Sequence, residues 1–198
     1  MSVLLIGGSP TEHSRSAALL DAVAQRLREQ VDGRRLPIDR LRVRDMSPQA
    51  LLLADWAHPS VARAIEQVAN ARALVIATPV YKAAYSGVLK VFLDLLPQTA
   101  LKGKAVLPLA TGGSPHHMLA LDYALRPVLQ SLGARHILPG VYATDTQVPR
   151  DADGQYQIEP DIAQRLDDAT QLLLQEGLRM QGTVSWEPVP FAQVRCSV

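Results

Sequence analysis

Cysteine is almost missing from this 198-residue chain, and Cys196, two residues from the end, is its single thiol. One thiol excludes an internal disulfide and a cysteine metal cluster, so a reducing compartment, the cytoplasm, is the expectation. Neither charge sign dominates, because 20 Lys and Arg stand against 19 Asp and Glu for a net charge of +1. A surface built for nucleic acid is therefore not expected. Apolar runs are short. The opening Met1-Ser2-Val3-Leu4-Leu5-Ile6-Gly7-Gly8 lacks a basic lead and falls far below the roughly 20 residues of a membrane span. It reads as a first strand.

What the chain does contain is a regular alternation. The strand Val3 to Ile6 breaks at Gly7-Gly8-Ser9-Pro10, and a helix follows from Ser14 or Ser16 with Leu20, Val23 and Leu27 on one face. Asp32-Gly33 turns into a weaker strand between Leu36 and Val43, whose Arg40, Arg42 and Arg44 suggest a wet edge. Short helices open at Ser47-Pro48 and Pro59, and the buried run Ala73 to Thr78 forms a third strand. A helix from Ser86 to Leu96 leads to a fourth strand, Ala105 to Ala110, where Pro108 points to a bulge or a sheet edge. A long helix is expected over His117 to Leu132, a fifth strand over about Arg135 to Tyr142, and a last helix from Pro160. Five strands alternating with helices specify an α/β three-layer sandwich, a parallel sheet in order 2-1-3-4-5 with helices on both faces. At this length one core can bury about 70% of the unfolded surface, so residues 1–180 read as one domain and 181–198 as a Pro-punctuated tail.

That strand order gathers three loops in one crevice. Thr78-Pro79-Val80-Tyr81-Lys82-Ala83-Ala84-Tyr85-Ser86-Gly87 leaves the third strand in a direction fixed by Pro79 and offers flat aromatic faces beside backbone N–H groups. Such a loop suits a flat, polar-edged ring. The first loop, Gly7 to Ser16, supplies Ser9, Ser14, Arg15 and Ser16 at a helix start, a set that matches a compact phosphate. It has no Gly-Lys-Ser/Thr and no Gly-x-Gly-x-x-Gly, so a mononucleotide phosphate fits better than a pyrophosphate; a Ser-rich helix cap with a surface Arg is the plainer alternative. Thr111-Gly112-Gly113-Ser114 lets backbone approach a planar ligand. Lys82 could place charge near a ring that gains electrons or simply be solvated. His116 and His117 lack a third ligand nearby, so no metal is expected. The absence of Gly-x-Ser-x-Gly sets a serine hydrolase aside.

In the long helix, Met118, Leu121, Leu125, Val128 and Leu132 define a core face and Tyr123 points away from it. Pro127 has no N–H for the carbonyl of Tyr123, so a kink or bulge is expected there. Tyr123 then suits a subunit interface, a ring reaching a neighbour's site or an ordinary surface position.

The strings Ala77 to Gly87, Leu93-Asp94-Leu95-Leu96-Pro97, Leu107 to Gly113 and Asp122 to Leu129 resemble the flavodoxin-like NADPH-dependent FMN reductases, most closely the reductase components of bacterial alkanesulfonate monooxygenase systems. The resemblance covers about Val3 to Val148. It implies FMN and NADPH as cofactors, with Ser9, Ser14, Arg15 and Ser16 on the FMN phosphate. Pro79, Val80, Tyr81 and Lys82 would line the ring edge, with Thr111, Gly112 and Gly113 on its other contacts and Ser86 in the same set. Hydride would pass between cofactors without a catalytic side chain, and reduced FMN would go to a separate monooxygenase. Homodimers or homotetramers are implied as well. Two other readings use the same fold: an FMN-bound quinone or azo reductase, and a flavodoxin-type electron carrier, against which the near-zero net charge argues. A regulatory domain with an empty site is a further class.

Overall fold

The computed structural model describes residues 2–30 and 36–178, so the turn at Asp32-Gly33 and the tail with Cys196 lie outside it. Its strands are β1 (Val3–Gly7), β2 (Ile38–Arg42), β3 (Ala73–Tyr81), β4 (Ala84–Tyr85), β5 (Ala105–Gly112), β6 (His136–Ile137) and β7 (Val141–Thr144). The order is β2-β1-β3-β5-β6, with β7 also on β5 and β4 paired to β3. All pairs are parallel except β3 with β4. This is the expected 2-1-3-4-5 arrangement, with its fifth strand split in two and a short hairpin added.

Alternate residues of each central strand enter opposite cores, which is why these strands read as unbroken apolar runs. Leu4, Ile6, Leu74, Ile76 and Val106 face one layer, made of α2 (Pro48–Leu52), α3 (Pro59–Asn70), α4 (Gly87–Leu93) and α5 (Arg126–Ser131). Val3, Leu5, Val75, Leu107 and Leu109 face the other, made of α1 (Arg15–Gln30) and α6 (Pro160–Leu172). The edge strand β2 buries Leu41 and exposes Arg40 and Arg42, as its pattern of arginines suggested.

Pro108 lies inside the sheet, and the bulge falls on its neighbour. Val106 pairs with Ile137 and Leu109 with Val141, so three steps along β5 match four along β6 and β7. A bulge suits this point, because the Pro108 nitrogen has no hydrogen to give to the ladder. Gly140 sits at this point because a Cβ there would lie 3.1 Å from the Pro108 carbonyl oxygen and 2.8 Å from Leu121.

Two expected elements are corrected. The third strand continues through Pro79 to Tyr81 and reverses in a hairpin, where a loop was expected; Pro79 opposite Thr111 and Tyr81 opposite Ala84 hold it in the sheet. The single helix over 117–132 is three pieces, a 3-10 turn at Pro115–His117, a π-helix at Leu121–Leu125 and α5. The π turn carries Tyr123 at its centre, where Pro127 predicted a bulge, and Arg126 N–H bonds back to Leu121. Its extra residue rotates the face that follows, so Leu129 joins Leu121, Leu125 and Leu132 in the core while Val128 is only partly buried; Met118, which precedes it at the end of the 3-10 turn, is exposed.

The β3–β4 hairpin turns on Lys82 and Ala83, with φ of 50° and 61°. A two-residue turn with both residues left-handed normally takes Asn-Gly, because a Cβ costs about 1 kcal/mol there. Ala83→Gly is therefore expected to raise stability by about 1 kcal/mol, read as a higher urea midpoint. An unchanged midpoint would show that this turn stores no strain.

Candidate active site

The ends of β1, β3 and β5 are locked to one another before any ligand arrives. Gly8 N–H bonds to the Ala77 carbonyl at 2.8 Å, and a Cβ on Gly8 would lie 2.8 Å from Leu89 Cβ, so the first loop rests directly on α4. Ser86 caps α4 by accepting from Leu89 N–H at 3.1 Å and donates to the Gly8 carbonyl. Buried Thr78 accepts from Ser86 N–H and donates to the Pro79 carbonyl, both at 3.0 Å. Two buried hydroxyls thus fix the exit angle of the β3 hairpin.

Above this platform lies an open cleft of about 200 Å³. One wall is Thr11, His13, Ser14 and Arg15, a second Pro79, Val80 and Tyr81, a third Thr111, Gly112 and Gly113, and Asp145 and Tyr156 close it. At one end Arg15 is held in place. Its Nε donates to the Val148 carbonyl at 3.0 Å and lies 3.5 Å from Asp145, and its guanidinium sits 5.6 Å from the centre of the Tyr156 ring. Ser14 is the N-cap of α1, accepting from Ala17 N–H at 3.1 Å while its carbonyl takes Ala18 N–H.

The two glycines of the third wall differ. A Cβ on buried Gly112 would lie 2.6 Å from the Tyr142 hydroxyl and 3.2 Å from Val80 Cβ, so packing demands glycine there. The Tyr142 hydroxyl passes beneath it to bond the Ser114 carbonyl at 2.6 Å. Burial, and then Asp145, hold this phenol above its usual range. A Cβ on exposed Gly113 would meet nothing closer than Asp145 at 3.8 Å, so its missing side chain opens the cleft.

Of the expected residues, Ser14, Arg15, Pro79, Val80, Tyr81, Thr111, Gly112 and Gly113 meet in the cleft. Four do not line it. Ser9 and Ser16 are buried, bonded to Thr11 and Ser14 respectively, and border a smaller pocket between α1 and β2. Ser86 is buried with its hydroxyl spent on Gly8 and Leu89. Lys82 stands at the exposed tip of the hairpin. A serine at a helix start has the same pattern whether it caps or binds, so sequence could not separate these roles. Thr11, His13, Asp145 and Tyr156 were not anticipated. The alternation Gln155-Tyr156-Gln157-Ile158 was the signal available for Tyr156, as it marks a half-buried strand. His116 and His117 occupy the 3-10 turn beyond Ser114, and among the described residues no three His, Cys, Asp or Glu group as metal ligands.

The family described as NADPH-dependent FMN reductase matches residues 1–148. An FMN reductase (NADPH) of Escherichia coli is 46% identical over 175 residues, covering 88% of this chain and 89% of that protein. One from Pseudomonas putida is 49% identical over 148 residues, covering 75% and 73%. A crystal structure of an NADH:FMN oxidoreductase in its apo form superposes with a TM-score of 0.76 at 41% identity, covering 86% of each chain. Strand order, a cleft at three strand ends and these likenesses agree, and the chain belongs to the NADPH-dependent FMN reductase family.

Proposed function

We propose that FMN lies in the cleft with its phosphate against Ser14 and Arg15 and its ring against the strand ends Pro79–Tyr81 and Thr111–Gly113. The observation that carries this reading is the polarity of the cleft, a fixed guanidinium at one end and an open glycine edge at the other. The residues fit the group. Arg15 uses only Nε internally among the described residues, leaving its terminal N–H groups for an anion.

FMN, when bound, supplies the acceptor for the hydride of NADPH, which makes the enzyme an oxidoreductase. The chain sets position. Pro79, paired into the sheet opposite Thr111, gives the ring a rigid edge, and half-exposed Tyr81 leaves room beside it for a second planar group. No side chain is assigned as acid or base. Ser14 and Arg15 orient the phosphate, and Gly113 brings main chain close to the ring. Gly113→Val is expected to abolish FMN binding in a flavin-fluorescence titration while the thermal midpoint stays put; wild-type affinity would remove the ring from this wall.

The reduced flavin is passed on to a separate FMNH2-dependent monooxygenase acting on alkanesulfonates, in the cytoplasm. Support comes from the resemblance of the 77–87 and 107–113 strings to such reductase components. Self-association into a dimer or tetramer is supported by exposed apolar side chains gathered on one side. Leu52 ends α2 and Leu53 and Trp56 follow it, Met118 and Leu119 precede the π turn that carries Tyr123, and Tyr81 is on the hairpin that touches that turn. All belong to the α2–α5 layer or its rim. Tyr123, 78% exposed, is expected to matter most: Tyr123→Ala should lower the sedimenting mass or release flavin, and unchanged values of both would make it a plain surface residue.

A further inference from the structure

After residue 148, where the family model's match ends, a further segment adds a wall to the cleft. Arg150 and Tyr156 pair as an isolated antiparallel bridge, and Asp151 N–H bonds to the Gln155 carbonyl at 2.8 Å. The Asp151 carboxylate collects Asp153 N–H, Gln155 N–H and Gln157 Nε2, so this small hairpin is internally braced. It presents Tyr156 to the cleft. Arg150 lies over the same ring, 4.7 Å from its centre, and donates from a terminal nitrogen to the Tyr156 hydroxyl at 2.7 Å. Arg15 lies 5.6 Å from that ring. One tyrosine therefore holds two guanidiniums, a stacking geometry that fixes both without consuming their charge.

Their charges are not equally available. Asp145 at 3.5 Å offsets part of Arg15. Asp151 is committed to its own hairpin, and among the described residues no carboxylate is ion-paired with Arg150. A phosphate monoester near two negative charges needs more than one half-neutralised arginine, and Arg150 is the nearest uncommitted cation on Tyr156.

We propose that the 149–158 hairpin is a phosphate-monoester clamp, in which Arg150, seated on Tyr156, supplies the second guanidinium to a terminal phosphate bound beside Arg15. This rests on FMN reduction in the cleft. Two groups in the reaction share that chemistry, the 5′-phosphate of FMN and the 2′-phosphate of NADPH. Diesters and unphosphorylated analogues do not satisfy it, so the clamp sets selectivity rather than rate.

The test is Arg150→Gln, with Arg150→Lys as the charge-retaining control, read as two ratios. FMN and riboflavin affinities are measured by flavin fluorescence, and KM values for NADPH and NADH by steady-state turnover. Loss of roughly tenfold in FMN against riboflavin selectivity supports the clamp and places it on the flavin. An equal loss in NADPH against NADH selectivity supports it and places it on the nicotinamide dinucleotide. Arg150→Lys should recover part of whichever ratio falls. Both ratios unchanged, or both members of a pair falling together, overturns the clamp. Failure of the reductase reading would look different, as wild-type protein that neither binds FMN nor oxidises NADPH.

Discussion

Arg15→Ala is expected to weaken FMN binding by about 1.5–3 kcal/mol, roughly 10- to 150-fold in Kd, the scale of a charge-assisted hydrogen bond. Arg15 is preorganised by the Val148 carbonyl, Asp145 and Tyr156, so little side-chain entropy is lost when an anion arrives. Truncation also frees the Asp145 carboxylate at the same end of the cleft, adding repulsion to the lost attraction. The double variant Arg15→Ala/Asp145→Asn should therefore recover part of the loss. A flavin-fluorescence titration checks both, and an unchanged Kd in the single variant would take Arg15 out of the site.

Gly112→Ala is expected to destabilise the fold by about 2–4 kcal/mol, the sum of overpacking and one broken hydrogen bond. The added methyl would stand 2.6 Å from the Tyr142 hydroxyl, and displacing that ring breaks its bond to Ser114. Val80 Cβ, 3.2 Å from the same point, belongs to the neighbouring strand that also lines the cleft, so the damage reaches the site as well. Gly113→Ala, one residue on and without a steric conflict, should leave stability within about 0.5 kcal/mol. Urea midpoints of the two variants make the comparison. Equal midpoints would mean that Tyr142 yields without cost and that Gly112 is not required by packing.

This contrast shows how far the sequence was legible. Gly112-Gly113 read as a place where backbone nears a planar ligand, but composition could not show that one glycine is packed against Tyr142 and the other is open to the cleft. The strand ends were legible because apolar runs closed by Gly or Pro mark where a buried strand stops. Pro127 exposed the π turn for a covalent reason, its missing N–H, and Pro108 exposed the bulge beside it in the same way. The continuation of β3 past Pro79 was hidden, since a hairpin on Lys82-Ala83 uses residues that avoid left-handed backbone. Ser9, Ser16 and Ser86 lie beside the cleft rather than in its lining because their hydroxyls are spent on Thr11, Ser14 and the Gly8–Leu89 contacts, which sequence alone does not reveal. Asp145 reaches the cleft through long-range packing with no local periodicity to announce it, whereas the alternation around Tyr156 marked a half-buried segment but not the cleft it faces.

The most direct test mixes protein, NADPH and FMN without oxygen and follows the nicotinamide and flavin absorbance bands together, in the wild type and in Gly113→Val. A cleft that holds FMN for hydride transfer predicts one FMN reduced for each NADPH consumed by the wild type, and neither change in the blocked variant. NADPH consumed at the same rate with Gly113 replaced, or never consumed by the wild type, would contradict it.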